Sequence, residues 1–192
     1  NNGGVVLRWL RDNFCQLEVE QAKQQGVDPY DLMVQAASQV PPGAEGLICL
    51  PFLSGERAPY WNPHARGIFF GIGLHHHKAH FIRSVLEGIL FAVYSITLAL
   101  QHLAGTAQEI RASGGFARSD AWRQMAADIF GSELLVPQVY ESSAFGAAAL
   151  GMYAVQAISD LKDVEKLIQI GDRHSPNLDL LNTYQALFSL YE

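Results

Sequence analysis

Glu109–Gly131 reads EIRASGGFARSDAWRQMAADIFG, and its three parts follow three different rules. Ile110 and Ala112 alternate with polar neighbours, Ser113, Gly114 and Gly115 break the alternation, and Trp122, Met125, Ala126 and Ile129 then recur on one helical face. The stretch predicts a strand, a glycine turn and a helix. Paired glycines admit backbone conformations closed to other residues and leave no Cβ to hold off a flat ligand. The helix N-terminus that follows offers unpaired N–H donors. That chemistry suits a nucleotide. Glycine turns between strand and helix are nonetheless common, so the stretch alone leaves nucleotide binding and a plain turn both open.

Downstream, Glu133 to Val139 predicts a further short strand, and Ser142 or Ser143 is placed to cap a helix with the face AFGAAALG. Ala144, Gly146, Ala147 and Ala148 are small enough for either a neighbouring helix or a planar ring to come close. A helix is expected over Asp160 to Gln169, and a last one from Asn177 through Leu180, Tyr184, Leu187 and Leu190. Upstream, Ile82, Val85, Leu86, Ile89, Val93, Ile96, Leu100 and Leu103 repeat at three and four, marking a long amphipathic helix that ends near Gly105. Its role is expected to be structural, with Glu87 on a solvated or salt-bridged face.

Before that helix, Leu47 to Leu53 and Ile68 to Ile72 read as strands, separated by the loop SGERAPYWNPHARG (Ser54–Gly67). A loop this long, rich in Pro, Gly and aromatics, is functional or tightly packed. The plainer expectation is a self-packed surface loop anchored by Tyr60 and Trp61, with Glu56, Arg57 and Arg66 free to pair across it. His75, His76 and His77 invite a metal, but adjacent histidines cannot all face one ion and no ligand-like spacing accompanies them. Three short helices open the chain: one beginning at Gly3 and Gly4, one over Glu18 to Gln25 stopped by Gly26, and one capped by Asp28 with Pro29 in its first turn.

The 192 residues are 49% hydrophobic and 17% charged, enough for one good core or two small ones. A net charge of −6 without a basic cluster argues against nucleic acid or an anionic membrane as partner. Two cysteines, Cys15 and Cys49, with no signal-like start, favour a reducing, cytoplasmic setting with both thiols as spectators. No run of about 18 uncharged apolar residues is evident, so no membrane span is expected. The chain opens on Asn1 and at once on an apolar, glycine-bearing segment, which reads as a piece of something longer.

Four blocks, in order, carry a family resemblance. GIFFGIGLHHHKAHFIRSVLE (Gly67–Glu87) resembles the C-terminal signature of the FGGY carbohydrate kinases. GERAPYWNPHARG, ASGGFARSDAWRQMAAD and ESSAFGAAALG look like the flanking blocks of that family. Within it, the opening NNGGVVLRWLRD looks most like the gluconate kinases, with the xylulose kinases next. The resemblance implies an α/β chain with the actin-like ATPase, ribonuclease-H-like fold: the C-terminal, nucleotide-binding half of a two-domain sugar kinase. ATP with Mg²⁺, and a small sugar or sugar acid such as gluconate, are the implied ligands.

By the same resemblance Gly114 and Gly115 lie against the nucleotide, Ser119 approaches adenine, Gly4 and Arg8 supply a second nucleotide-contacting pair, and Ala144 with Ala147 forms a small-residue wall near the base. Ser113 departs from the triple glycine often seen there and adds little bulk. No aspartate here matches the family's general base, which is expected upstream together with the sugar-binding domain and the first strands of this sheet. The chain alone is therefore expected to be catalytically silent, and a sheet edge left without neighbours permits a homodimer. The rival reading is an actin-like ATP-binding module without kinase activity.

Overall fold

The computed structural model describes residues 2–139 and 141–192. Its elements run α1 (Asn2–Phe14), α2 (Gln16–Gln25), α3 (Pro29–Ser38), β1 (Ile48–Leu50), β2 (Ile68–Phe70), α4 (Lys78–Ala104), β3 (Ile110–Arg111), α5 (Asp120–Phe130), β4 (Leu134–Pro137), α6 (Ser142–Ala154), β5 (Ile170–His174) and α7 (Leu181–Tyr191). The architecture is α/β, with helices around two small sheets.

Local chemistry sets the helix ends. The Asp28 carboxylate accepts the Tyr30 N–H at 2.9 Å to start α3, and Gly26 closes α2 in the left-handed region, φ 69°. Gly131 does the same for α5 at φ 59°. The first helix begins one residue ahead of the expected glycine start, so Gly3 and Gly4 lie inside the first turn of α1.

α4 is the centre of the core. Ile82, Val85, Leu86, Ile89, Leu90 and Phe91 are buried there, against Val6, Leu7 and Leu10 of α1, Met33 and Ala37 of α3, and Tyr184 and Phe188 of α7. A Cβ on Gly88 would run into the Cys49 carbonyl oxygen, so glycine is what lets α4 cross β1 in near-backbone contact. Glu87 is not solvated. It is 2% exposed and bound to Arg83, whose Nε donates to Glu87 Oε1 at 2.8 Å; the Gly43 N–H and the Tyr184 hydroxyl donate to the same oxygen at 2.9 and 3.0 Å. Burial pushes the Glu87 carboxyl up from its usual range, and Arg83 and these donors pull it back. The network ties α4, the turn before β1 and α7 together.

Contrary to the expectation of no candidate span, α4 is the one helix among the described residues that is long and apolar enough to cross a membrane. Its apolar stretch is 61% buried inside this fold, and it carries the Arg83–Glu87 pair, so here it serves as a core helix. The C-terminal end of its stripe is open: Leu100 and Leu103 are exposed.

In the first sheet β1 pairs antiparallel with β2, Ile48 opposite Phe70 and Leu50 opposite Ile68. Both strands are shorter than the apolar runs that predict them, and Pro51 directly follows β1. The second sheet has the order β3-β4-β5, with β3 parallel to β4 and β5 antiparallel to it. β5 was not expected. The predicted helix at Asp160 to Gln169 is instead a 3-10 segment, Leu161–Leu167, with Asp160 accepting the Lys162 N–H at 2.8 Å, and the chain then turns into β5. Glu141, rather than Ser142 or Ser143, occupies the N-cap position of α6. The loop after β1 also differs from expectation: Tyr60 and Trp61 are exposed, while the Glu56 side chain is buried and accepts the Tyr60 N–H at 3.1 Å. Arg66 donates to the Pro63 and Ala65 carbonyls.

Candidate functional site

β3 delivers the chain to the glycine turn as the sequence predicts. The Ala112 N–H donates to the Leu135 carbonyl at 2.8 Å and extends the β3–β4 ladder by one bond. Gly114 then adopts φ 83°, ψ −170°, a region essentially restricted to glycine. This bend reverses the chain into a 3-10 turn, Gly115–Arg118, closed by the Ala117 N–H on the Gly114 carbonyl at 3.1 Å. Ala117 is fully buried and Phe116 meets Trp122 edge-on, so the turn is pinned from beneath while its glycines face outward. A Cβ built on Gly114 or Gly115 meets no atom within 4 Å. The turn is an open shelf of bare backbone.

Ser119 ends that shelf and begins α5. Its hydroxyl oxygen accepts the Trp122 N–H at 3.3 Å, a helix cap that still leaves the hydroxyl proton free to donate to a ligand. Trp122 Nε1 reaches the Leu86 carbonyl on α4 at 3.4 Å. One turn along the same helix, Ile89 Cγ2 fills the space beside Gly3. α4 therefore carries both α1 and α5 on neighbouring positions. On α1, Gly4 and Arg8 are exposed and share a face at i and i+4, and a Cβ on Gly4 meets nothing within 4 Å.

Ala144 and Ala147 are exposed near the start of α6, and Gly146 between them is open to a Cβ. Spacing did not single out what joins this helix to the turn. Arg118 Nη2, at the last position of the 3-10 turn, donates to Glu141 Oε1 at the head of α6 at 2.9 Å. Both side chains are more than two-thirds exposed, which makes the pair a weak tether. A charged residue closing a glycine turn was the visible signal. Gly114, Gly115 and Ser119 thus share one turn, Ala144 stands on the helix tied to it, and Gly4 with Arg8 stands on a separate helix held by the same core element.

Two hollows in the surface lie elsewhere. One of about 250 Å³ is lined by Gln108, Glu109, Ile110 and Glu133, at the opposite end of β3 from the glycines. The other, about 230 Å³ and apolar, lies between α1 and β1–β2 and includes Trp9, Leu53 and Ile68. The first is lined by the carboxylates of Glu109 and Glu133, which repel a phosphate, and the second is apolar, so the shelf remains the better candidate.

The sequence model of the FGGY family of carbohydrate kinases, C-terminal domain, matches residues 1–155. A gluconokinase of Bacillus licheniformis is 49% identical over 192 residues, all of this chain and 37% of that protein. A xylulose kinase of Staphylococcus epidermidis is 30% identical over 190 residues, covering 98% of this chain and 36% of its own length. Among solved structures, a gluconate kinase from Lactobacillus acidophilus superposes with a TM-score of 0.83 at 35% identity, over the whole of this chain and 37% of its own. The chain spans little more than a third of the length of the relatives it matches.

Proposed function

The chain belongs to the FGGY family of carbohydrate kinases, and from that premise we propose that it is the ATP-binding part of a kinase that phosphorylates gluconate. The observation that carries the choice of acceptor is the 49% identity to a gluconokinase across all 192 residues, against 30% to a xylulose kinase. The reaction is in-line transfer of the γ-phosphoryl group of ATP to a sugar-acid hydroxyl. In such transfers the protein mainly positions the reactants and stabilises charge.

In this reading Gly114 and Gly115 lie under the nucleotide, with no side chain to lift it off the backbone. The Ser119 hydroxyl donates to the base, Gly4 and Arg8 meet the nucleotide from α1, and Ala144 with Ala147 flanks the base. The open shelf at Gly114 and Gly115 fits a flat ligand, and Gly4 on α1 is equally bare. Mg²⁺ enters with the nucleotide as the counter-ion of its phosphates, and no side chain of this chain is assigned to it. The general base is likewise assigned to no residue here.

Titrating the chain with Mg-ATP, with gluconate and with xylulose, and following thermal unfolding, tests the reading. At a hundredfold excess over Kd a ligand adds about 2.7 kcal/mol, roughly 5–10 °C for a domain of this size. Stabilisation by Mg-ATP alone is expected. The absence of any Mg-ATP response removes the nucleotide assignment. In a protein of the relatives' full length, faster phosphorylation of xylulose than of gluconate removes the acceptor.

A further inference from the structure

On the far side of Ser119 from the glycines, the first residue of α5 and the end of β5 bring three metal-ligating groups together. One carboxylate oxygen each of Asp120 and Asp172 and a ring nitrogen of His174 lie within 4.8 Å of one another. We propose that Asp120, Asp172 and His174 bind a divalent transition-metal ion of the zinc class, clipping β5 to the start of α5. The proposal stands on these side chains and is independent of the kinase reading.

The buried imidazole carries it. His174 is 7% exposed, and its Nε2 has no hydrogen-bond partner although it faces Asp172 Oδ2 at 3.3 Å and Asp120 Oδ1 at 3.7 Å. The other ring nitrogen fixes what Nε2 presents. Gln124 Nε2 donates to Asp128 Oδ1 and to the Ser175 carbonyl, both at 2.8 Å, which turns Gln124 Oε1 toward His174 Nδ1 at 3.3 Å. Gln124 Oε1 holds Nδ1 back, which leaves Nε2 as the ring nitrogen turned toward the two carboxylates. Two carboxylate oxygens gathered around one buried nitrogen favour a positive centre among them.

Arg123 answers only half of that need. Its Nη2 is 3.1 Å from Asp120 Oδ1 and 3.3 Å from Asp172 Oδ2, one positive charge against two negative, and its buried Nε makes no hydrogen bond. The spacing suits an ion. Ligand atoms held about 2.0–2.2 Å from a tetrahedral metal stand roughly 3.4 Å apart, close to the separations from Nε2. An Nδ1–H held by an outer amide oxygen is also how metal-binding histidines are oriented. Asp120 is 80% exposed and Asp172 half-exposed, so an ion can enter from solvent and keep water in its remaining positions, with Arg123 Nη2, which rests on the same two oxygens, giving way to it. Two carboxylates and an imidazole suit zinc, cobalt or manganese.

Cobalt(II) and zinc titrations of chelator-stripped protein test this, by calorimetry and by the visible spectrum of bound cobalt. A His75→Ala, His76→Ala, His77→Ala background removes the three consecutive histidines as rival ligands. One equivalent is expected to bind in that background, at least about tenfold more weakly after Asp172→Asn or His174→Asn, with zinc raising the melting temperature only where Asp172 is present. Asp172 lies at the surface, so Asp172→Asn remains informative if His174→Asn fails to fold. Absence of binding in the triple background, or binding indifferent to both substitutions, overturns the site.

Discussion

Adjacent glycines at the turn have different reasons to be there. Gly114 sits at φ 83°, ψ −170°, where a side chain costs about 1–3 kcal/mol, whereas Gly115 carries no such constraint and has nothing within 4 Å of a Cβ. Gly114→Ala is therefore expected to lower unfolding stability by about that amount in urea titrations. Gly115→Ala is expected to leave stability within about 0.5 kcal/mol while weakening Mg-ATP roughly tenfold, since its methyl group lies where the nucleotide rests. Wild-type nucleotide affinity in Gly115→Ala would take the nucleotide off this turn. The cysteines are also argued residue by residue. Cys15 and Cys49 are buried, and burial pushes the Cys49 thiol up to about 12 and raises that of Cys15. At pH 8 a disulfide-exchange reagent is expected to label neither in the folded chain and both in urea. Rapid stoichiometric labelling without denaturant contradicts that. At this scale the sequence was legible where one residue type has one physical use, as with the capping Asp28 or the terminal Gly26. It was misleading at Tyr60 and Trp61, because an aromatic side chain does not say which way its loop faces.

Among the elements, α4 shows how one position sets a crossing. Replacing a mid-helix glycine by alanine normally helps a helix by up to about 1 kcal/mol. Gly88→Ala is expected to do the reverse, because its Cβ meets the Cys49 carbonyl of β1, which is backbone and cannot swing aside. A loss of about 1–3 kcal/mol is the scale of overpacking, read as a lower melting temperature, and an unchanged or raised one would mean that α4 and β1 are not in such close contact. The length and apolar face of α4 were readable from its three-and-four repeat, and its N-terminal half is buried as that repeat implies. β5 was not readable. Only His174 is buried in Ile170–His174, so no apolar alternation marks it, and it is a strand because β4 lies beside it with Leu134 opposite His174. Pairing that depends on a distant partner leaves no local pattern. Asp120 and His174 stayed invisible as neighbours for the same reason.

For the molecule as a whole, the unbalanced surface lies around the second sheet. In the order β3-β4-β5, β3 pairs on one side only among the described residues, and α6 is an apolar helix with just Ala149 buried, leaving Leu150, Tyr153 and Val155 exposed. An open strand edge beside exposed apolar side chains favours pairing with another chain, and because β3 offers only two residues of edge, the apolar side chains of α6 are the larger part of that face. The relatives are nearly three times as long as the part this chain matches, and in a protein of that length further polypeptide is available to cover such a face. The 192-residue chain by itself is therefore expected to self-associate, its mass by light scattering rising with concentration. Leu150→Glu with Val155→Glu, both on exposed positions, is expected to suppress the rise without lowering the melting temperature, since neither residue contributes to the core. A monomer mass independent of concentration would mean that this face is satisfied within one chain. Association that survives both substitutions would place the contact on the β3 edge, or on the exposed end of α4 at Leu100 and Leu103, instead of on α6.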